Sequence, residues 1–261
     1  VTDENQLVRY AVADGIATIT LDSPHNRNAL SARLRAQLRA AIAAAQDDAA
    51  ARVIVLGHTG TVFCSGMDLK EARGASAETQ AVNEFPAILE QLAHSPKPVV
   101  AKLAGPARAG GVGMVAAADI AIAARAATFA FTEVRIGVVP AVISVPVLPR
   151  LQARAAHELF LTGETFDAQR AAEIGLINAA VAPEDLDAEV ERYTGMLCRG
   201  GPQALAATKE LLTERAGGAD MGAELAKMTE LSARFFASAE GQEGMTAFAE
   251  KRSPSWVPGQ S

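Results

Sequence analysis

The sequence predicts an α/β fold on two observations. Short apolar runs such as Val53-Ile54-Val55-Leu56 and Pro98-Val99-Val100-Ala101 each stop at a turn of small residues, and runs of this kind read as buried strands. Behind each turn a helical segment begins, and this strand, turn and helix order recurs along the chain, as layered α/β architecture requires. Hydrophobic residues make up 49% of the 261 positions, which is ample for a core.

Taken in order, Val8 to Ala13 and Ile16 to Leu21 flank Asp14-Gly15, a two-residue hairpin signal. Ser31 is placed to cap a helix whose apolar side carries Leu34, Leu38, Ile42 and Ala45. Val53 to Gly57 reads as a buried strand. Lys70 to Ala81 is polar and small without a clear period, so a mobile loop is expected. A helix is expected around Val82 to Ala93. Ser95-Pro96-Lys97-Pro98 then forces an extended approach to the next strand, because a residue before proline avoids the helical region. Strand, glycine turn and short helix repeat through Ala124, and a further strand surrounds Phe129 to Phe131. After Pro149 the pattern is mostly helical. Asp167 opens a helix that Gly175 closes, and Pro183-Glu184-Asp185 opens another. Gly200-Gly201-Pro202 is the clearest hinge, followed by amphipathic helices over Gln203 to Arg215, Gly222 to Ala237 and near Glu240 to Lys251. A core over 1–199 and a helical C-terminal region over 200–261 are expected.

Two of the turns carry chemistry. One is Phe63-Cys64-Ser65-Gly66-Met67-Asp68-Leu69-Lys70, and the other is Ala107-Arg108-Ala109-Gly110-Gly111-Val112-Gly113. A tight turn leading into a helix presents free backbone N–H groups, and the helix N-terminus adds positive potential. Two such groups meeting in space form an oxyanion hole, which stabilises negative charge on a carbonyl oxygen. The plainer alternative is that both are tight turns using glycine for its backbone freedom. Downstream, Glu133 lies in an apolar and aromatic stretch from Phe129 to Gly137. A lone carboxylate there is costly without a purpose or a partner, and an ion pair with Arg135 is the structural alternative.

Composition excludes several classes. A net charge of −6, from 24 basic and 30 acidic residues, argues against general affinity for nucleic acid or anionic membrane. Aromatic residues at 5% leave little for base stacking. Cys64 and Cys198 lie far apart, so a disulfide framework is excluded and a reducing compartment is expected. With no signal-peptide pattern and no apolar stretch of bilayer-spanning length, a soluble cytoplasmic protein is expected. His25, His58, His94 and His157 are scattered, so no metal site is expected. No Gly-x-Ser-x-Gly elbow surrounds Ser65 or Ser144, and Cys64 reads as a small buried residue. Gly110-Gly111-Val112-Gly113 lacks both the Walker lysine and the dinucleotide fingerprint, so neither ATP nor NAD is indicated.

In this order and spacing, these segments resemble the enoyl-CoA hydratase/isomerase (crotonase) family. Gly66-Met67-Asp68-Leu69-Lys70 is similar to the family's Gly-x-Asp-[Leu/Ile]-Lys turn, and Ala109-Gly110-Gly111-Val112-Gly113 to its second glycine turn. The strand from Asp119 then leads to Thr132-Glu133-Val134-Arg135-Ile136-Gly137, similar to the family's Pro/Thr-Glu-x-x-x-Gly segment. The likeness runs from about Leu7 to Arg252. It implies a superhelix of repeated ββα units, with C-terminal helices that build a homotrimer or a dimer of trimers. It also implies an acyl-CoA substrate and no tightly bound cofactor, CoA being part of the thioester. The backbone N–H groups of Met67 and Gly110 would be the oxyanion donors, and Glu133 a general base or acid at the α- or γ-carbon. For CoA, the resemblance points to main-chain bonds from the turn over Ser65, Met67, Asp68 and Leu69, with Lys70 at a phosphate. Arg27 would line the CoA cleft, and Lys251 and Arg252 would approach the nucleotide. A solvated surface charge is the alternative for each basic residue.

One position departs from the pattern. Many hydratases of the family carry a second glutamate three residues after the central glycine of the second turn, and here that position is Gly113. Two carboxylates can position one water and divide proton delivery, whereas one readily shuttles a proton between carbons. Hydration of a 2-enoyl-CoA is the first expectation. Isomerisation of a 3-enoyl-CoA to a 2-enoyl-CoA is the rival that Gly113 favours. A thioester hydrolase and an acyl-CoA-binding protein without catalysis are further alternatives. Glu71, Glu78 and Glu84 are candidate replacements for the missing acid, and Asp119 reads as a turn or strand-end residue. The acyl pocket is expected from Val82 to Leu92, Val138 to Val147 and the C-terminal helices. Pro140-Ala141-Val142-Ile143-Ser144 stands there in place of the glycine-rich stretch of many relatives.

Overall fold

Asp14 and Gly15 take φ angles of 51° and 80°, and the chain reverses there between β1 (Val8–Ala13) and β2 (Ile16–Leu21), with Ala13 paired to Ile16. The computed structural model describes residues 6–73, 84–217 and 221–255. Further strands follow as β3 (Val53–His58), β4 (Val99–Leu103), β5 (Ala107–Arg108), β6 (Ile120–Ala124), β7 (Thr128–Ala130), β8 (Phe166–Asp167) and β9 (Ala179–Val181). A six-stranded sheet runs in the order β1-β2-β3-β4-β6-β9, parallel from β2 onward, and β5-β7-β8 form a three-stranded sheet. The α/β class is therefore as the sequence predicts.

Both faces of the larger sheet are buried, as expected where parallel strands dominate. Ile54 and Leu56 face one cluster with Ile19, Leu21 and Ala101, while Val53 and Val55 face another with Val100 and Ile122. The first face is covered by α1 (Ala32–Asp47) through the expected Leu34, Leu38, Ile42 and Ala45. Ser31 Oγ accepts the Leu34 N–H at 3.3 Å, a cap worth about 1 kcal/mol. The short helices α2 (Leu69–Ala72), α3 (Phe85–Ala93), α4 (Gly110–Ala117) and α5 (Ala141–Val147) surround the glycine turns. Then come α6 (Ala153–Thr162), α7 (Ala168–Glu173) and α8 (Leu186–Cys198). Leu186 and Val190 of α8 cover the second sheet face.

Two expected elements change. The stretch expected to be a loop from Lys70 opens inside a helical turn, because Asp68 Oδ1 accepts the Lys70 N–H at 3.0 Å and caps α2. Residues 74–81 of that stretch, including Glu78, lie outside the described residues. The helix expected from Val82 begins at Phe85, with Pro86 in its first turn where no N–H is needed. Val82 itself is outside the described residues.

The chain continues after the Gly200-Gly201 pair as α9 (Pro202–Gly217), α10 (Met221–Phe236) and α11 (Ala239–Glu250). Lys209 Nζ donates to the Lys97 carbonyl at 3.1 Å and pairs with Asp119 at 2.6 Å, and Asp119 also accepts the Val99 N–H. Asp119 is thus a strand-end residue that ties α9 to the sheet. Packing of α10 on α5 and α3, and of α11 on the 3-10 turn Glu133–Ile136, folds this region back over the glycine turns.

Candidate active site

The two glycine turns are zipped together by backbone bonds. Phe63 N–H donates to the Pro106 carbonyl at 2.9 Å and Arg108 N–H to the Cys64 carbonyl at 2.9 Å. A third segment joins them, since Leu30 N–H donates to the Gly66 carbonyl and Ser65 N–H to the Arg27 carbonyl. Asn28, fully buried, fixes that segment by donating to the Thr59 and Val62 carbonyls while accepting the Ser23 N–H. Arg35 Nη1 holds the Leu30 carbonyl at 2.6 Å. Cys64 Sγ accepts the Gly66 N–H, and burial pushes its thiol up to about 12, so it is inert packing at neutral pH.

Among the described residues, the N–H groups of Met67 and Gly110 have no hydrogen-bond partner. Gly110 is the first residue of α4, where helical N–H groups are unsatisfied by geometry. A Cβ on Gly110 would stand 2.7 Å from Leu30 Cδ1, so a larger residue there would require the Leu30 side chain to move. The preceding Ala109 is held at φ 47° and ψ −118°, a strained conformation outside glycine. Strain of this kind persists only where surrounding bonds enforce it, and Ala109 N–H donates to the Ala130 carbonyl.

Glu133 opens the 3-10 turn that follows β7 and is 9% exposed. Its Oε2 is buried with no hydrogen-bond partner, and burial pushes the carboxyl up to about 7, partly opposed by its own backbone N–H. Arg135 does not pair with it; its Nε donates to the Thr162 carbonyl. Glu133, Met67 and Gly110 line one cavity of about 90 Å³. Apolar walls come from Leu69, Phe85, Val142 and Ile143, and Ser232 and Phe236 of α10 complete the lining. Of the segments expected to build an acyl pocket, Phe85 and Val139 to Ile143 line this cavity. Ser232 and Phe236 were not legible individually, since an amphipathic helix shows which face is buried but not what it buries against.

The Gly113 position is occupied by packing. A Cβ there would meet Ile143 Cγ2 at 2.8 Å and Leu89 Cδ2 at 3.5 Å. None of the candidate replacement acids that can be placed enters the cavity. Glu71 accepts the Ala32 N–H at the start of α1, and Glu84 stands at the N-terminus of α3. Of the residues assigned to CoA by resemblance, Ser65, Met67 and Leu69 line the cavity, whereas Asp68 serves as the α2 cap. Arg27 and Lys70 expose their side chains beside these turns. Lys251, at φ 56°, ends α11 with its side chain exposed, and Arg252 is engaged by Glu243 and Glu250. No helix among the described residues is long and apolar enough to cross a membrane.

Fold and site together define an α/β protein in which two unpartnered backbone N–H groups and a buried, unpartnered carboxyl line one cavity. The family model for enoyl-CoA hydratase/isomerase matches residues 11–259. A protein of Rhodobacter capsulatus named a probable enoyl-CoA hydratase is 38% identical, over 95% of this chain and 96% of its own length. The crystal structure of an enoyl-CoA hydratase from Mycobacterium avium is 47% identical with a TM-score of 0.87, covering 96% of this chain and 99% of that one. A methylmalonyl-CoA decarboxylase in complex with 2-nitronate-propionyl-CoA is 26% identical with a TM-score of 0.85, covering 97% and 99%. The chain belongs to the enoyl-CoA hydratase/isomerase family of the crotonase superfamily, and is an acyl-CoA enzyme.

Proposed function

We propose that this enzyme catalyses the reversible addition of water to a 2-enoyl-CoA, with Glu133 as its single acid–base group. The observation that carries this reading is the unpartnered, buried Oε2 of Glu133 in one cavity with the unpartnered N–H groups of Met67 and Gly110. The thioester oxygen accepts both N–H bonds. Ionised Glu133 takes a proton from water as the water oxygen bonds to C3, and the C2=C3 electrons move toward the thioester to form an enolate. The two N–H donors stabilise that oxyanion. Glu133 then returns the proton to C2 and the carbonyl reforms, so one water has been added and the enzyme is unchanged. A carboxyl poised near 7 suits both halves of this exchange.

The hydratase names of the relatives support this choice, and the 2-nitronate-propionyl-CoA held by the decarboxylase neighbour supports a CoA thioester as ligand. CoA would lie along the turn from Ser65 to Leu69, with Arg27, Lys70 and Lys251 reaching toward its phosphates. No tightly bound cofactor is needed. Assembly as a homotrimer or dimer of trimers through the region after residue 200 is part of the proposal, and light scattering tests it.

A second reading is favoured by Ile143 standing in the place of a second carboxylate. A single base can remove a proton from C2 of a 3-enoyl-CoA and return it to C4, giving the 2-enoyl-CoA. Incubation of a short 2-enoyl-CoA with pure protein, followed by mass spectrometry, separates the two. A gain of one water supports hydration. Unchanged 2-enoyl-CoA, with 3-enoyl-CoA converted to its conjugated isomer, replaces it. Turnover of no thioester, with binding unaffected by Glu133→Gln, would instead mark a binding protein.

A further inference from the structure

We infer that Ser232 is the second polar group of the reaction, holding the attacking water for Glu133 from the α10 side of the cavity. The inference rests on the hydration reading. A single carboxylate accepts one proton of the water, and the other proton needs an acceptor if the oxygen lone pair is to aim at C3. The position where the family's second carboxylate would stand is closed, because Ile143 and Leu89 fill the space beyond Gly113.

Ser232 lies on α10, which packs against α5 and α3, the two helices that carry Ile143 and Leu89. It therefore reaches the cavity from the wall that closes the Gly113 position. Phe236, one helical turn later, lines the same cavity, so this face of α10 is turned inward. Hydroxyls inside helices commonly bond back to the carbonyl four residues earlier. Thr229 does so with Leu225 and Thr208 with Ala204. Ser232 makes no such bond, and its hydroxyl has no partner among the described residues.

Two other hydroxyls line the cavity, and their places suit them less. Ser65 stands on the turn that carries Met67, and Thr132 directly precedes Glu133 in the chain. Ser232 and Glu133 line the same cavity, which has room for a water between its polar groups. Ser232 Oγ accepts the second water proton as a hydrogen bond, and in the product it meets the C3 hydroxyl. No proton is transferred to it.

The test compares wild type, Ser232→Ala and Ser232→Thr in two assays. One is hydration of a short 2-enoyl-CoA. The other is deuterium exchange from D2O into C2 of the saturated acyl-CoA, which uses Glu133 and the oxyanion donors without adding water. The expected result is a fall of about tenfold in kcat for hydration in Ser232→Ala, with KM and C2 exchange little changed, and substantial recovery in Ser232→Thr. Hydration at the wild-type rate in Ser232→Ala overturns the inference, as does a parallel loss of hydration and exchange. Failure of the wild type itself to add water overturns the hydration reading, and is seen before any variant is made.

Discussion

A Cβ on Gly66 would stand 2.9 Å from the Cβ of Ala109, so the two turns of the site meet with room for one methyl group. Both residues are at positive φ, 89° for Gly66 and 47° for Ala109. Each turn thus fixes the other, and the residues after them, Met67 and Gly110, with unpartnered N–H groups, line one cavity.

Gly66→Ala is expected to destabilise the fold by about 1–3 kcal/mol, through the contact with Ala109 and the positive φ. Activity should fall further than stability, because any relief of the contact moves one of the two proposed oxyanion donors. Urea unfolding and turnover on one sample report both. An unchanged midpoint would show that the turns can separate freely.

In the proposed mechanism Glu133 must be ionised to receive a proton from water, and burial pushes its carboxyl up to about 7. In the hydration direction kcat/KM should therefore rise with pH and level off above about 7. Glu133→Gln should remove this rise and lower kcat by about 10²–10⁴-fold. A flat profile in the wild type between about pH 5 and 8 would assign the chemistry elsewhere.

The same carboxyl has the opposite influence on stability. Its folded-state pKa of about 7 lies above the unfolded value of about 4.3, so folding takes up a proton between those limits. The group's favourable contribution is complete below about 4.3 and is lost as pH rises through about 7. Glu133→Gln should accordingly gain stability over wild type from about pH 5 to 8, by up to roughly 3 kcal/mol. Thermal melts at the two pH values measure the difference, and a constant gap between the proteins would contradict it.

Gly113→Ala places a methyl 2.8 Å from Ile143 Cγ2. Overpacking of about 1–3 kcal/mol is offset in part by about 1 kcal/mol of helix propensity. Ile143→Ala alone opens a cavity and costs about 2–5 kcal/mol. Together the two changes should cost clearly less than their sum, since each fills what the other empties. A strictly additive double-mutant cycle in denaturant would rule out the contact.

Much of the fold was legible because local chemistry and tertiary contact agree. Asp14-Gly15 forms the hairpin that its backbone freedom allows, and Ser31 caps the helix it precedes. Glu133 stood out because a carboxylate in an apolar run has few structural excuses. What escaped is set by contact across the chain. Ile143 in the place beyond Gly113, and Ser232 in the cavity wall, depend on how α5 and α10 pack, which no local spacing records. The strands β5, β8 and β9 are too short to show alternation, and β5 forms where Cys64 and Ala107 meet. Asp68 matched a binding motif, yet its side chain caps α2, one case of a residue whose local role suffices to explain it.

Ser232 and Phe236 follow all of the described strands in chain order, which gives the enzyme an order of assembly. A nascent polypeptide that has emerged as far as residue 199 already contains Met67, Gly110, Glu133 and every described strand. The wall that α10 supplies is then still to be synthesised, and the cavity stands open to water. Domains fold as they leave the ribosome. In this chain the scaffold can precede the chamber, whose lining is complete only once α10 has been made.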